Sequence, residues 1–237
     1  MTATFLLQPR SASVSTLSAR KLTEATANTA SVKPMLRGRL HQLCALASLP
    51  AGTHLVAHSS PGHRLPAFVY AITWTAMFAT SACYHRLAHS PTAQRRLRRA
   101  DHSMIFVHIG ATSTSLGLLS LSPLVACVLL TVVWSGVAGG IGLKLTRLVD
   151  GGSAGSKMYG VLGGTQAFAM PLIAQSVSLA QVALLAISCA VYGVGALLFF
   201  RQRLDLFPRV FGYHEVWHCF TLIGGLCQYL LIASLTS

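Results

Sequence analysis

Apolar residues run along this chain in seven blocks, at about 38–58, 66–85, 102–121, 123–143, 158–177, 179–200 and 214–235. Polar residues, glycines and prolines gather between them. Each block is near the ~20 residues that a membrane-spanning helix needs. No block alternates apolar and polar residues with the period of two that a membrane barrel strand requires. Helices satisfy every backbone polar group within the segment, so they suit lipid as a solvent. The pattern therefore predicts an all-α integral membrane bundle of seven transmembrane helices. The fifth and sixth blocks are nearly continuous and divide around Ser176 and Ser178. Residues 1–36, rich in serine, threonine and alanine, read as a disordered basic tail. Residues 37–237 form the membrane domain.

Composition strengthens this picture. Of the 237 residues, 53% are hydrophobic and only 10% charged, where a soluble domain carries about a quarter charged residues. The net charge of +13 does not point to nucleic acid. The charges sit in short clusters between apolar runs, with no basic face and no nucleic-acid-binding motif. They fit anionic headgroups, which makes membrane lipids the expected partners. Of the 18 lysines and arginines, all but Arg64 fall in the tail or in the loops after the second, fourth and sixth blocks. Basic loops stay in the cytoplasm. The amino terminus is therefore expected in the cytoplasm and the carboxyl terminus outside, in a plasma membrane, with the bacterial inner membrane as first choice. The six cysteines form no Cys-x-x-Cys pair and read as small apolar helix residues.

Ionisable side chains inside membrane segments are costly and mark function. Among the five acids, Asp101 opens the third block and Glu215 opens the seventh, both at cytoplasmic ends. Three of the histidine pairs have i, i+4 spacing: His54/His58, His85/His89 and His214/His218. This spacing puts two rings on one helix face, where both can bind one metal ion. His54/His58 fall at the outer end of the first helix, with no acid near. His89 is expected at the headgroups. His85, Asp101, His214 and His218 can converge at one depth on the cytoplasmic side. Ser81 lies four residues before His85, on the same face. It reads either as a helix-packing serine or as a hydroxyl beside a metal that holds water or a substrate carbonyl. His214-Glu215-Val216-Trp217-His218 also fits the His-Glu-x-x-His zinc-protease pattern. Glu215 there is either a general base or an interfacial acid paired with an arginine.

With these residues in view, the chain resembles the hemolysin III group of the progestin and adipoQ receptor family, related more distantly to alkaline ceramidases. The likeness runs from about Arg37 to the end. It rests on Ser81-Ala-Cys-Tyr-His85, Arg99-Ala-Asp101-His-Ser-Met-Ile105 and Tyr213-His-Glu-Val-Trp-His218, with weaker support from Gly139-Gly-Ile-Gly-Leu-Lys144. The resemblance implies a seven-helix bundle with zinc near the cytoplasmic face. It implies His85, His214 and His218 as zinc ligands, Asp101 as the residue that orients or deprotonates water, and Ser81 in support. Relatives imply hydrolysis of the C–N bond of lipid amides, as in a ceramidase, on an amphiphilic lipid substrate. The group's name implies a haemolytic, pore-like activity instead. The chain departs from the family at Gly110-Ala-Thr-Ser-Thr-Ser115, where relatives read Gly-Thr-Tyr-Thr-Pro.

Three functions follow as expectations. The first is a zinc-dependent membrane hydrolase that uses Asp101 and Ser81. The second is a non-enzymatic receptor or pore-forming protein, which should tolerate loss of Asp101. The third is an intramembrane zinc protease, which should depend on Glu215.

Overall fold

A computed structural model describes residues 34–146, 154–207 and 209–237. Among the described residues the chain forms seven α-helices and no β-strand. They are α1 Arg39–His58, α2 Arg64–Leu87, α3 Pro91–Ser120, α4 Pro123–Leu145, α5 Ala154–Ile173, α6 Leu179–Phe200 and α7 Tyr213–Thr236. A 3₁₀ turn at Pro61–His63 leads into α2. The tail expected over residues 1–36 lies outside the described residues as far as residue 33.

The helix boundaries follow local capping chemistry rather than hydropathy. The sharpest difference is at α3, which begins at Pro91 rather than near residue 102. Ser90 is its N-cap, and the hydroxyl accepts a hydrogen bond from the Ala93 N–H at 3.1 Å. Pro91 takes the first helical position, where its missing N–H removes nothing. Arg95, Arg96, Arg98, Arg99 and Asp101 are thus helical residues, although the apolar block starts after them. The near-continuous run is broken where the serines suggested. The Ser178 hydroxyl accepts from the Gln181 N–H, and the Gln181 side chain accepts from the Ser178 N–H at 2.8 Å. This reciprocal capping box opens α6 at Leu179.

Five of the helical segments are long and apolar enough to cross a membrane: Pro61–Leu87 and helices α3, α4, α6 and α7. Helix α1 is diluted by Arg39, His41, Gln42, His54 and His58, and α5 by Lys157, Gln166 and several glycines. Successive helices pack on one another, and α7 returns against α1, α2 and α3 to close the bundle. Gly225 allows that closure, since a Cβ there would stand 2.5 Å from the Trp74 Nε1. The Tyr70 hydroxyl then donates to the Gly225 carbonyl at 2.6 Å, tying α2 to α7.

Large apolar side chains such as Leu43, Leu46, Phe68, Leu124, Val128, Phe168 and Leu230 point outward. Ser81, His85, His108, Ser115, Gln166, Glu215, His218 and Gln228 are buried. Apolar outside and partly polar inside is the arrangement lipid favours: outward apolar groups lose nothing there, whereas ionisable groups must face the interior.

Candidate metal centre

The last turns of α2 carry Ser81 and His85, one turn apart and both buried. The first turns of α7 carry His214 and His218, again one turn apart. Because α7 packs against α2, these two helix ends bring three imidazoles together. Nε2 of His214 and Nε2 of His85 are 3.1 Å apart. The ring centroids are 4.8 Å apart for His85–His214, 5.4 Å for His85–His218 and 4.6 Å for His214–His218. One ligand nitrogen from each ring lies within 4.8 Å of the other two.

The His85–His214 separation of 3.1 Å matches the ligand spacing of a zinc site, and the third nitrogen lies within 4.8 Å of both. A tetrahedral centre with Zn–N bonds of about 2.05 Å puts its ligand atoms roughly 3.3 Å apart. The donor set fits as well. His218 is buried and its Nδ1 has no hydrogen-bond partner. Three clustered neutral imidazoles offer lone pairs that one another's rings cannot all satisfy, whereas a divalent cation can. A zinc ion held by these three nitrogens alone would keep a fourth position for water or substrate, as catalytic sites do.

Asp101 and Ser81 are not members of the triangle. Asp101 is reached from α3, and the Ser81 hydroxyl is within hydrogen-bonding reach of its carboxylate. Ser81 is four residues from His85, so these two side chains share one face of α2. The phenol of Tyr159 donates to the His102 carbonyl at 3.0 Å, fixing α3 against α5 next to Asp101.

Glu215 is engaged elsewhere. It is buried, its Oε1 is paired with the Arg37 guanidinium, and its Oε2 accepts from the Gly212 N–H at 2.9 Å. Both oxygens hold the start of α7 and the entry to α1 together. The arginine partner is Arg37, ahead of α1, and a carboxylate so committed is not free to act as the general base of a His-Glu-x-x-His protease.

The other histidines separate cleanly. His54 and His58 are exposed near the end of α1, and the His58 Nδ1 lies 2.9 Å from the His54 carbonyl. His89 is exposed just beyond α2. His108 is buried, with its Nδ1 3.3 Å from the Thr73 hydroxyl. His41 on α1 escaped the reading of spacing, because it has no partner four residues away. It is nevertheless buried and stacked on His218, with ring centroids 3.7 Å apart and planes 8° apart.

Comparison with known proteins agrees with the helical, membrane-suited architecture. A family profile described as Haemolysin-III related matches residues 29–229. The chain is 25% identical over 196 residues to Hemolysin-3 of Bacillus cereus, covering 81% of this chain and 86% of that protein. It is 26% identical over 196 residues to the Hemolysin-3 homolog of Bacillus subtilis (strain 168), covering 81% and 89%. No solved structure matches the chain at a significant level.

Proposed function

This chain belongs to the haemolysin-III related family, and we propose that it is a zinc-dependent hydrolase of lipid amides. It is a multi-pass protein of the bacterial plasma membrane, and its outward apolar side chains contact lipid. Our reading of its topology has all seven helices crossing, with the amino terminus in the cytoplasm and the carboxyl terminus outside. The distribution of lysine and arginine supports it. The end of α2 and the start of α7 then lie at the cytoplasmic face, where an amphiphilic substrate reaches the centre from the inner leaflet.

One observation carries the hydrolase reading: His85 of the three-histidine triangle lies one turn from Ser81, whose hydroxyl interacts with the Asp101 carboxylate. The three imidazoles would hold the metal. Bound zinc supplies Lewis acidity toward the amide carbonyl and makes a neighbouring water a competent nucleophile near neutral pH. Asp101 receives the proton of that water on a carboxylate oxygen as the C–O bond forms. It returns the proton to the amide nitrogen as the C–N bond breaks, so fatty acid and amine leave with the elements of water added. The Ser81 hydroxyl holds the carboxylate in place by hydrogen bonding. Buried surroundings keep other water from the site and strengthen each of these interactions.

The test is release of fatty acid from ceramide by the purified protein in lipid nanodiscs. Release that zinc chelation stops, and that Asp101→Ala stops without loss of metal, supports the proposal. Release at the same rate in Asp101→Ala contradicts it.

A second reading draws on the names of the relatives, Hemolysin-3 and Hemolysin-3 homolog. In that reading the chain perturbs membranes or acts as a receptor and carries out no hydrolysis. Leakage of dye-loaded vesicles that survives Asp101→Ala favours it.

A further inference from the structure

Helix α1 supplies no member of the three-histidine triangle, yet its entry segment is locked against it. Gly38 has φ +78°, a left-handed conformation that glycine adopts without steric cost. A Cβ at Gly38 would stand 2.5 Å from the Cβ of His85. Arg37 pairs with Glu215, next to His214. The Met35 and Leu36 N–H groups donate to the carbonyls of Arg209 and Val210, just ahead of α7. Thus the segment that starts α1 is fixed against both helices that carry the ligands. One turn on, it places His41.

His41 is buried between two rings. The imidazole of His218 lies parallel at 3.7 Å, and the Phe78 ring is tilted at 5.0 Å. The His41 Nε2 is 3.2 Å from the Thr221 hydroxyl oxygen, and that hydroxyl donates its one hydrogen to the His218 carbonyl at 2.9 Å. The hydroxyl can therefore only accept from His41, so the Nε2 carries the hydrogen. His41 is thereby tied to the backbone of the residue whose ring it covers.

A ligating histidine ordinarily has its ring orientation fixed by a hydrogen bond from its other nitrogen to a carboxylate or carbonyl. His218 has a further restraint on its ring, the His41 imidazole stacked on its face. A parallel ring in van der Waals contact performs the same service by another means: it blocks rotation of the imidazole about its terminal torsion, which is otherwise soft. We propose that His41 is a positioning residue of the metal centre, holding the His218 imidazole by face-to-face stacking from helix α1. The inference rests on the metal-centre reading and adds α1 to the two helices, α2 and α7, that carry the three histidines.

The test is zinc affinity of the purified protein by competition with a chelator, together with the ligand-field spectrum of the cobalt(II)-substituted form. His41→Ala removes the stacked ring and His41→Phe restores one without nitrogen. His41→Leu, apolar and without a ring face, replaces the alanine variant if that variant does not fold. Loss of an outer support of a metal ligand costs about 10–100-fold in affinity. His41→Ala should therefore bind zinc at least tenfold more weakly with an altered cobalt spectrum, while His41→Phe stays within a few-fold of wild type. Wild-type affinity and spectrum in His41→Ala overturn the role. Equal loss in Ala and Phe variants overturns stacking and makes the nitrogen the essential feature. A wild type that binds no zinc is a different failure, because it removes the metal centre itself and this inference with it.

Discussion

His54 and His58 lie one turn apart near the end of α1, and His214 and His218 lie one turn apart at the start of α7. The spacing is identical, and in both pairs the rings approach closely, with centroids 3.9 Å and 4.6 Å apart. Everything around them differs. The first pair is exposed and, among the described residues, has no third ligand beside it. The second meets His85 from α2 in a triangle whose His85 and His218 are buried, with Ser81 one turn from His85 and His41 stacked on His218. A single helix can supply two nitrogens, but it cannot supply a closed, water-poor setting. That setting comes from packing, and packing separates a candidate metal centre from two surface histidines.

Several substitutions sharpen this contrast. The largest effect is expected at Asp101. Asp101→Ala should lower amide hydrolysis by about 10²–10⁴-fold, the usual contribution of a positioned general base, with zinc content unchanged. Metal analysis and turnover on the same sample check it. Next is Glu215→Gln, which leaves Arg37 without its anionic partner. Breaking a buried pair costs on the order of 3 kcal/mol, so the melting temperature should fall. Turnover per folded molecule should stay within a few-fold; complete loss of turnover with full stability would revive Glu215 as a base. Ser81→Ala should cost about tenfold in turnover, as loss of a hydrogen bond that orients another group typically does. Smallest is the double change His54→Ala and His58→Ala. It should leave zinc content alone and shift stability by no more than about 0.5 kcal/mol, as for surface sites generally.

The three-histidine cluster was legible in the sequence through two short rules. The i, i+4 spacing announces a shared face, and the lysine and arginine distribution assigns each helix end a side. Together they selected His85, Asp101, His214 and His218 from ten histidines and five acids. The start of α3 was not legible from hydropathy, because Pro91 to Arg99 are helical without being apolar. The signal was present in Ser90-Pro91, a cap followed by a first-turn proline. Five segments meet the length and apolarity of a membrane span, and α1 and α5 do not; their polar residues lower the same hydropathy that suggested seven. His41 stayed hidden for a different reason. Its partner in space is 177 residues away in sequence on α7, and no local pattern encodes a contact that only bundle closure creates.

The most direct test of the central claim is the zinc content of purified wild-type protein beside two double variants, His54→Ala with His58→Ala and His214→Ala with His218→Ala. About one zinc per chain is expected in wild type and in the first variant, and none above background in the second. Equal zinc in both variants, or none in wild type after gentle purification, would contradict a metal centre built where α2 and α7 meet.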